Sequence, residues 1–400
     1  MLVQPVEISR NKTDGFALFN LGFRPFFLGA GIFALLSMTV WIASYALAMP
    51  LAIEAINPMQ WHAHEMLYGY GLTVIAGFLL TAVKNWTGVQ TVHGKALLGL
   101  FAVWVLARLL MLAGTGFIAI AAVLDLLFGL LLMVAVAHPI IKVRQWQQLA
   151  VLSKLVIIVA GNGLFYLGAL GYVENVVHLS LYGALYLIIS LIMLIGRRVI
   201  PFFIERGVEK KIKLRQHRWL DISILLFFIL FFINELFIGR AEFTPLTTGL
   251  LFLLNGLRLF NWHTPGIWRA PLLWGLYVSS WLINAGFLLM ALQYWLPISG
   301  ILTVHLFTIG GIGLMTLSMM SRVALGHSGR NIRQPPVLVG YALGLLVLSA
   351  VFRIGLPLID MSHYLWWIIA SYLCWMAAFA LFVLVYTPIL TKPRPDGQPG

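Results

Sequence analysis

The sequence predicts an all-α, polytopic membrane protein, a bundle of 12 transmembrane helices that forms a single domain over residues 1–400. Hydrophobic residues make up 61% of the chain and charged residues only 10%, which is too little charge to cover the surface of a soluble protein of this size. Apolar runs of about 20 residues, the length that crosses a bilayer as a helix, recur throughout the chain. Lysines and arginines gather in alternate connections between these runs, which is typical of a chain threaded through a membrane.

The predicted spans follow one another with short connections, and the longest polar connection runs from Arg197 to Trp219. Their approximate bounds are 22–48, 62–84, 95–113, 117–137, 149–172, 175–198, 219–239, 243–260, 270–294, 299–322, 335–358 and 361–388. With both termini in the cytoplasm, 23 of the 26 lysines and arginines lie in cytoplasmic connections or helix ends, and the exceptions are Arg108, Arg240 and Arg353. One span more or fewer would place many of these basic residues on the opposite side of the membrane, so we expect both termini to be cytoplasmic.

The remaining composition excludes several classes of function. The net charge of +13 is spread over many connections rather than gathered in one basic surface, so we expect a lipid bilayer and no nucleic acid as the partner. The one cysteine, Cys374, lies inside an apolar run, which excludes a disulfide framework and thiolate metal sites. The first residues lack the apolar core and cleavage site of a signal peptide, so the first helix is expected to insert directly. A bound metal would therefore depend on His, carboxylate or Met ligands.

The second span carries the most informative stretch, which reads WHAHEMLYGYG from Trp61 to Gly71. His62 and His64 stand there beside Glu65, at the outer end of the span. Residues two apart on a helix point roughly 200° away from each other, so these two imidazoles cannot share one metal ion. If both are ligands, they serve two different centres. The alternative is that the pair sits in the headgroup layer at the helix end.

Histidines in other spans indicate a weak internal repeat with a period of four helices. His64, His178 and His305 are each followed five residues later by a glycine. A real repeat would put three histidine-bearing helices at equivalent places in three four-helix arcs. His363 also lies towards the outer side, whereas His327 lies towards the cytoplasm, in a glycine-bounded turn beside basic residues.

The outer histidines His62, His64, His178 and His305 are candidate ligands for haem iron and copper, because neutral imidazole ligates both metals. The lack of paired cysteines and of carboxylate clusters argues against iron–sulfur, calcium and magnesium sites. A flat haem also needs small residues that let it approach the helices, and spans two and ten supply glycines. These are Gly69, Gly71, Gly77, Gly310, Gly311 and Gly313. The alternative is that the histidines bond to backbone carbonyls or line a polar cavity.

Two further groups of polar residues have more than one interpretation. At the cytoplasmic side, arginine forks suit haem propionates or other carboxylates, although the positive-inside bias alone also places arginines there. This group comprises Arg197, Arg198, Pro201, Glu205, Arg206, Arg322, His327 and Arg330, with Asn85 and Trp86. Within the spans, Arg108 and Asp125 are expected to form an ion pair between neighbouring helices, either as structural support or as part of a proton or ion path.

Five motifs resemble the NnrS family of bacterial membrane proteins. They are GFRPFFLGAG (22–31), WHAHEM (61–66), GFLLTAVKNWTG (77–88), RVIPFFIERG (198–207) and HLFTIGGIGLMTLSMMSRVALGHSGR (305–330), and the resemblance extends over nearly the whole chain. It implies twelve helices, bound haem and copper, and a role in the response to nitric oxide.

The resemblance also implies which residues matter. The positions that match the shared motif residues of the family are His62, His64, His305, His327, Arg24, Arg198 and Arg322. Glu65 and Arg330 lie within the same motifs and are expected to support a cofactor together with these arginines. One departure is Tyr277, which stands where many members carry a histidine in the ninth span.

We therefore expect a haem- and copper-binding protein of the bacterial inner membrane that binds or detoxifies nitric oxide, or a related small ligand, and protects against nitrosative stress. Its layout is also similar to the catalytic subunit of haem–copper oxidases, which has twelve helices in three arcs. The spans hold no convincing carboxylate chain to deliver protons, and no second cofactor domain indicates an electron donor, so binding without turnover is as consistent with the sequence as catalysis. The alternatives are a secondary transporter of a small solute, a class that shares this topology, and a membrane scaffold.

Overall fold

The structure is a computed structural model that describes residues 15–51, 53 and 55–398. Within these residues it is 80% helical and contains no strand, and 12 helices are long and apolar enough to cross a membrane, which confirms the predicted fold class. The basic residues Arg10 and Lys12, which entered the topology prediction, lie outside the described residues. The helices are α1 (Phe23–Ala46), α2 (Pro58–Thr87), α3 (Gly94–Leu112), α4 (Thr115–Lys142), α5 (Trp146–Ala169), α6 (Val176–Gly207), α7 (Arg218–Ile238), α8 (Phe243–Trp262), α9 (Pro271–Leu292), α10 (Gly300–His327), α11 (Val337–Ile359) and α12 (Tyr364–Thr391).

Helix α2 begins earlier than predicted, at Pro58, because the preceding residue caps it. The Asn57 side chain accepts a hydrogen bond from the Gln60 backbone N–H at 2.8 Å, and the Gln60 side chain accepts one from the Asn57 N–H at 3.0 Å. This reciprocal capping box satisfies two backbone donors that a helix start leaves unpaired, and a proline at the first helical position adds no further donor. His62 and His64 therefore lie inside the helix rather than at its cap.

Helices α2 and α10 form the centre of the bundle. The most apolar stretch of α2 is 78% buried and that of α10 is 72% buried, whereas that of α7 is only 22% buried, which leaves α7 to face lipid. Helix α2 contacts α6, and both contact α10, so the three helices that carry the predicted repeat are mutual neighbours. Helix α1 packs against α2 and α12, which brings the two ends of the described chain together.

Four of the described helices contain a π-helical segment, in which each backbone hydrogen bond spans one more residue than in an α-helix. The segments are Glu65–Gly71 in α2, Asn234–Ile238 in α7, Leu306–Gly313 in α10 and Val351–Gly355 in α11. Those of α2 and α10 begin directly after a histidine. A π segment rotates the helix face that follows it, and such segments are frequent at functional sites.

The contact between α9 and α10 depends on glycines that let two helices approach closely. A Cβ atom placed on Gly286 of α9 would lie 2.5 Å from the ring of Phe307, and one placed on Gly311 of α10 would lie 2.6 Å from the Ile283 side chain. Phe307 and Gly311 both belong to the π segment of α10. The close approach of α9 therefore also holds the segment that follows His305.

We expect Gly286→Ala to destabilise the protein by about 1–3 kcal/mol, because the added methyl group pushes against the buried Phe307 ring. Gly344→Ala in α11 is the control, since a Cβ atom there meets nothing within 4 Å, and it should leave Tm unchanged or raise it. Thermal unfolding of the purified variants in detergent measures both. A wild-type Tm for Gly286→Ala would show that α9 and α10 are not this closely packed.

Candidate functional site

A cavity of about 320 Å³ lies at the end of the bundle where α2 and α10 begin. We call it the histidine cavity, because His62 of α2, His178 of α6 and His305 of α10 all line it. Its other walls come from α1 and α12, and most of the lining side chains are apolar or aromatic. They include Met38, Met59, Met66, Tyr70, Tyr182 and Trp375. The structure thus brings together three of the four predicted outer histidines, and His64 is not among them.

In His305, one ring nitrogen is fixed and the other is available. Nδ1 donates to the backbone carbonyl of Ile301, one turn earlier in α10, at 2.7 Å. This bond places the proton on Nδ1, so Nε2 keeps its lone pair, and no residue that the structure describes is hydrogen-bonded to Nε2. A bond of this kind orients most metal-binding histidines and makes the ligating nitrogen more basic. His305 therefore has the tautomer of a metal ligand.

The other two cavity histidines are held by stacking on aromatic rings. The His62 and Trp41 rings are 4.4 Å apart with an interplanar angle of 15°, and the Trp41 indole N–H donates to the Tyr372 hydroxyl. His178 stacks on Tyr182 at 4.3 Å. His62 Nδ1 is buried and has no hydrogen-bond partner among the described residues. Because an unpartnered buried nitrogen is costly, a ligand at this atom would be stabilising.

Methionine thioethers extend the possible ligand set beside His62. Met59 lies three residues before His62 and Met66 four residues after it, so all three share one face of α2, and all three line the histidine cavity. Met38 of α1 reaches the same cavity. Thioethers are soft donors that, together with imidazole, suit copper and copper(I) in particular.

The ligands in the histidine cavity fit haem or a softly ligated metal better than a metal ion held by His, Cys and carboxylate ligands. Within the residues that the structure describes, no group of three or more His, Cys, Asp or Glu side chains could hold one metal ion. A zinc ion takes most of its ligands from such side chains, whereas haem iron takes most of its ligands from the porphyrin and needs only an axial imidazole. The apolar walls, the available His305 Nε2 and the unpartnered His62 Nδ1 are compatible with haem and a softly ligated copper ion.

His64 points away from the histidine cavity, into a buried polar network between α2, α4 and α5. Its Nδ1 lies 2.9 Å from Glu65 Oε1, and its Nε2 lies 2.9 Å from Asn162 Oδ1. Asn162 donates from Nδ2 to Asp125 Oδ2 at 3.0 Å, which fixes the orientation of its amide. Both ring nitrogens of His64 are therefore hydrogen-bonded within this network, and neither is free to bind a metal.

Arg108 of α3 completes the network, and we call His64, Glu65, Arg108 and Asp125 the buried ion cluster. Arg108 Nη1 lies 2.5 Å from Glu65 Oε1, and its Nη2 pairs with Asp125. Arg108 thus faces two carboxylates, His64 lies beside both of them, and all four side chains are buried. The sequence indicated the Arg108–Asp125 pair but not the other two members, because no spacing along one helix shows what faces it from its neighbours.

Three other predicted residues lie outside the histidine cavity. Arg24 is buried and donates to the carbonyls of Leu390 at 2.8 Å and Lys392 at 2.9 Å, so it caps the end of α12. Tyr277 donates its hydroxyl to the Leu259 carbonyl at 3.2 Å. His363 stands in the connection before α12 and pairs with Asp360 at 2.8 Å. Hydrogen bonds from Ser362 and His363 lower the pKa of Asp360 to about 2.

The remaining predicted residues lie at the opposite end of the bundle, where α6 and α10 finish. We call it the basic end, because Arg322, His327 and Arg330 line a second cavity there, of about 460 Å³. His327 Nε2 is 3.4 Å from the Asn85 side-chain nitrogen. Arg198 is exposed and lines neither cavity. The predicted site residues therefore divide between two cavities, the buried ion cluster and single structural positions.

Comparison with known proteins agrees with the motifs. A family model described as NnrS protein matches residues 17–394 of the 400-residue chain. No curated protein matches the chain. The matched range includes all twelve helices, both cavities and the buried ion cluster.

We expect Arg108→Gln to lower the free energy of unfolding by about 3–5 kcal/mol, because it leaves buried carboxylates without their main counter-ion. Arg269→Gln is the matched control. Arg269 also pairs with a glutamate, Glu209 at 3.6 Å, but these side chains are 80% and 87% exposed, so the control should unfold at the wild-type temperature. Thermal unfolding in detergent measures both effects. Equal Tm values for the two variants would show that Arg108 is not the main counter-ion of the buried carboxylates.

Proposed function

The chain belongs to the NnrS family, and we propose that it is a haem- and copper-binding membrane protein that binds nitric oxide or a related small ligand and protects against nitrosative stress. The observation that carries the proposal is the available His305 Nε2 in an apolar cavity inside the helix bundle. The same cavity holds further imidazoles and the thioethers of α2. Imidazole and thioether donors in an apolar site are suitable ligands for haem iron and copper.

His305 is the residue that we propose would hold haem iron. The bond from Nδ1 to the Ile301 carbonyl holds the ring in one orientation and leaves Nε2 as the donor. The Tyr70 and Trp375 rings in the cavity lining suit contact with a flat macrocycle. One imidazole would be sufficient to hold the iron, and bound haem would supply an iron that binds a diatomic ligand.

His62, Met59 and Met66 are the proposed ligands of copper. The unpartnered His62 Nδ1 is the expected donor atom, and the stack on Trp41 keeps the imidazole plane fixed. A soft set of thioethers and imidazole favours copper(I), and bound copper would supply one-electron redox chemistry. His64 has no part in either site, because both of its nitrogens are engaged in the buried ion cluster.

The character of the cavity also favours a small uncharged ligand over a polar solute. Among the residues that the structure describes, no Asp, Glu, Lys or Arg lines this cavity. Nitric oxide is small and apolar, so it would enter from the lipid without a polar channel. A transporter of a polar solute would instead need polar groups and broken helices near the middle of the membrane. We propose further that the basic end faces the cytoplasm, since lysines and arginines concentrate on that side of membrane proteins.

We expect His305→Ala to abolish the haem absorbance of the purified protein, because the iron loses its protein ligand. His178→Ala is the matched control, since it removes the same side chain from the same cavity and should keep the full absorbance. Optical spectra of the oxidised and reduced proteins, with iron analysis and Tm as a test of folding, measure the outcome. Full haem absorbance in folded His305→Ala, or its loss in His178→Ala alone, would assign the iron to another ligand.

We expect His62→Ala and Met66→Leu to lower copper affinity by about tenfold or more while haem absorbance stays, since even a residue that only orients a ligand contributes about 10–100-fold. Met111→Leu is the control, because Met111 is buried in α3 outside the histidine cavity and the change conserves volume. Copper analysis after dialysis against a graded chelator measures the affinity. Unchanged copper binding in both cavity variants would contradict the assigned ligand set.

A further inference from the structure

The cavity at the basic end has no part in the proposed function. It has a volume of about 460 Å³ and lies between the ends of α6 and α10, the start of α9 and the connection that follows α10. We call it the basic cavity, because four arginines and one histidine line it, and none of the described residues that line it is an aspartate or a glutamate. They are Arg206, Arg322, Arg330, Arg333 and His327.

Arg322 is the most buried of these cations. Only 8% of its surface is exposed, and its guanidinium carbon lies 4.0 Å from the centre of the Phe203 ring. Within the described part of the chain, its buried Nε has no hydrogen-bond partner, and no carboxylate forms an ion pair with its guanidinium. Because a buried guanidinium without a counter-ion is costly, an anion bound here would be stabilising.

Acidic residues near the basic end are engaged elsewhere. Glu205 accepts a hydrogen bond from the Leu214 backbone N–H at 2.8 Å. Asp396 pairs with Arg394 at 2.5 Å, and Asp221 pairs with arginines of α6 and α8 at 3.3 and 3.6 Å. None of these described carboxylates therefore neutralises the positive charge of the basic cavity.

We propose that the basic cavity binds the phosphate group of an amphiphilic molecule, with Arg322 as the inner anchor and Arg206 and Arg330 nearer the solvent. A guanidinium offers paired donors that match phosphate oxygens. The volume falls within the range of about 300–1,000 Å³ for small-molecule sites, so it accommodates more than a bare anion. Phe203 and Leu272 provide apolar wall for the rest of the ligand.

Two sources offer this chemistry. One is an anionic phospholipid, since basic pockets between membrane helices bind lipid head groups. The other is a soluble organic phosphate with an apolar part. The two share the contact with Arg322 but differ in whether acyl chains are needed, so one experiment with two ligands separates them.

The test is thermal unfolding of the purified full-length protein in neutral detergent. Dioctanoyl phosphatidylglycerol is titrated against dioctanoylglycerol, which has the same chains without the phosphate, and phenyl phosphate is titrated against sodium chloride at equal ionic strength. We expect a saturable rise of Tm with at least one phosphate ligand and none with its matched partner. A response to the lipid alone identifies a lipid head group, and a response to phenyl phosphate identifies a soluble phosphate.

Variants tie the response to the basic cavity. Arg322→Gln should weaken the apparent affinity about tenfold or more, because it removes a charge-assisted pair of hydrogen bonds. Arg206→Gln, at an exposed position, should weaken the apparent affinity less. It becomes the test variant if Arg322→Gln does not fold. Arg240→Gln removes the same charge at the opposite end and should respond as wild type.

Three results would overturn the proposal. One is the absence of a saturable response to either phosphate ligand in the wild-type protein. Another is an equal response in wild type and in the Arg322→Gln and Arg206→Gln variants. The third is the loss of haem absorbance from folded Arg322→Gln, which would assign this arginine to the carboxylates of a cofactor instead. Retained haem absorbance keeps the basic cavity separate from the proposed metal sites.

Discussion

The buried ion cluster is the interaction on which the arrangement of helices α2 to α5 depends. A charged side chain buried among membrane helices is not hydrated by water, so it must be paired within the protein. Arg108 and His64 face Glu65 and Asp125, and Asn162 extends the contact to α5. Because His64 is held on that side of α2, the opposite face of the same turn, which carries His62, is directed towards α6 and α10.

Two of the buried atoms without hydrogen-bond partners lie in cavities at opposite ends of the bundle. His62 Nδ1 stands among imidazoles, thioethers and aromatic rings, whereas Arg322 Nε stands among other cations. The first surroundings favour a metal with neutral ligands and the second favour an anion. The uneven distribution of charged residues between the two ends of the bundle thus also separates the two kinds of binding chemistry.

The sequence predicted the parts of the structure that depend on residue content along the chain, and it missed the parts that depend on packing. The twelve apolar runs were sufficient to predict the helices. The Arg108–Asp125 pair could be expected because each of two adjacent spans carries a charged residue. The contact of His64 with Asn162 joins residues 98 positions apart, and no pattern within one helix encodes it. The early start of α2 could have been predicted from Asn57 and Pro58, because together they form a capping signal that hydropathy alone overlooks.

The histidine cavity is shaped by two π segments that are anchored in different ways. Glu65, the first residue of the segment in α2, pairs with Arg108, so an ion pair holds the helix at the point where it departs from regular geometry. The segment in α10 is fixed by close packing, since Phe307 lies against Gly286 of α9. Both anchors are buried parts of helices, and neither is a loop. Ligating residues on buried helix segments keep their positions more accurately than ligating residues on mobile connections. A preformed metal site requires this accuracy.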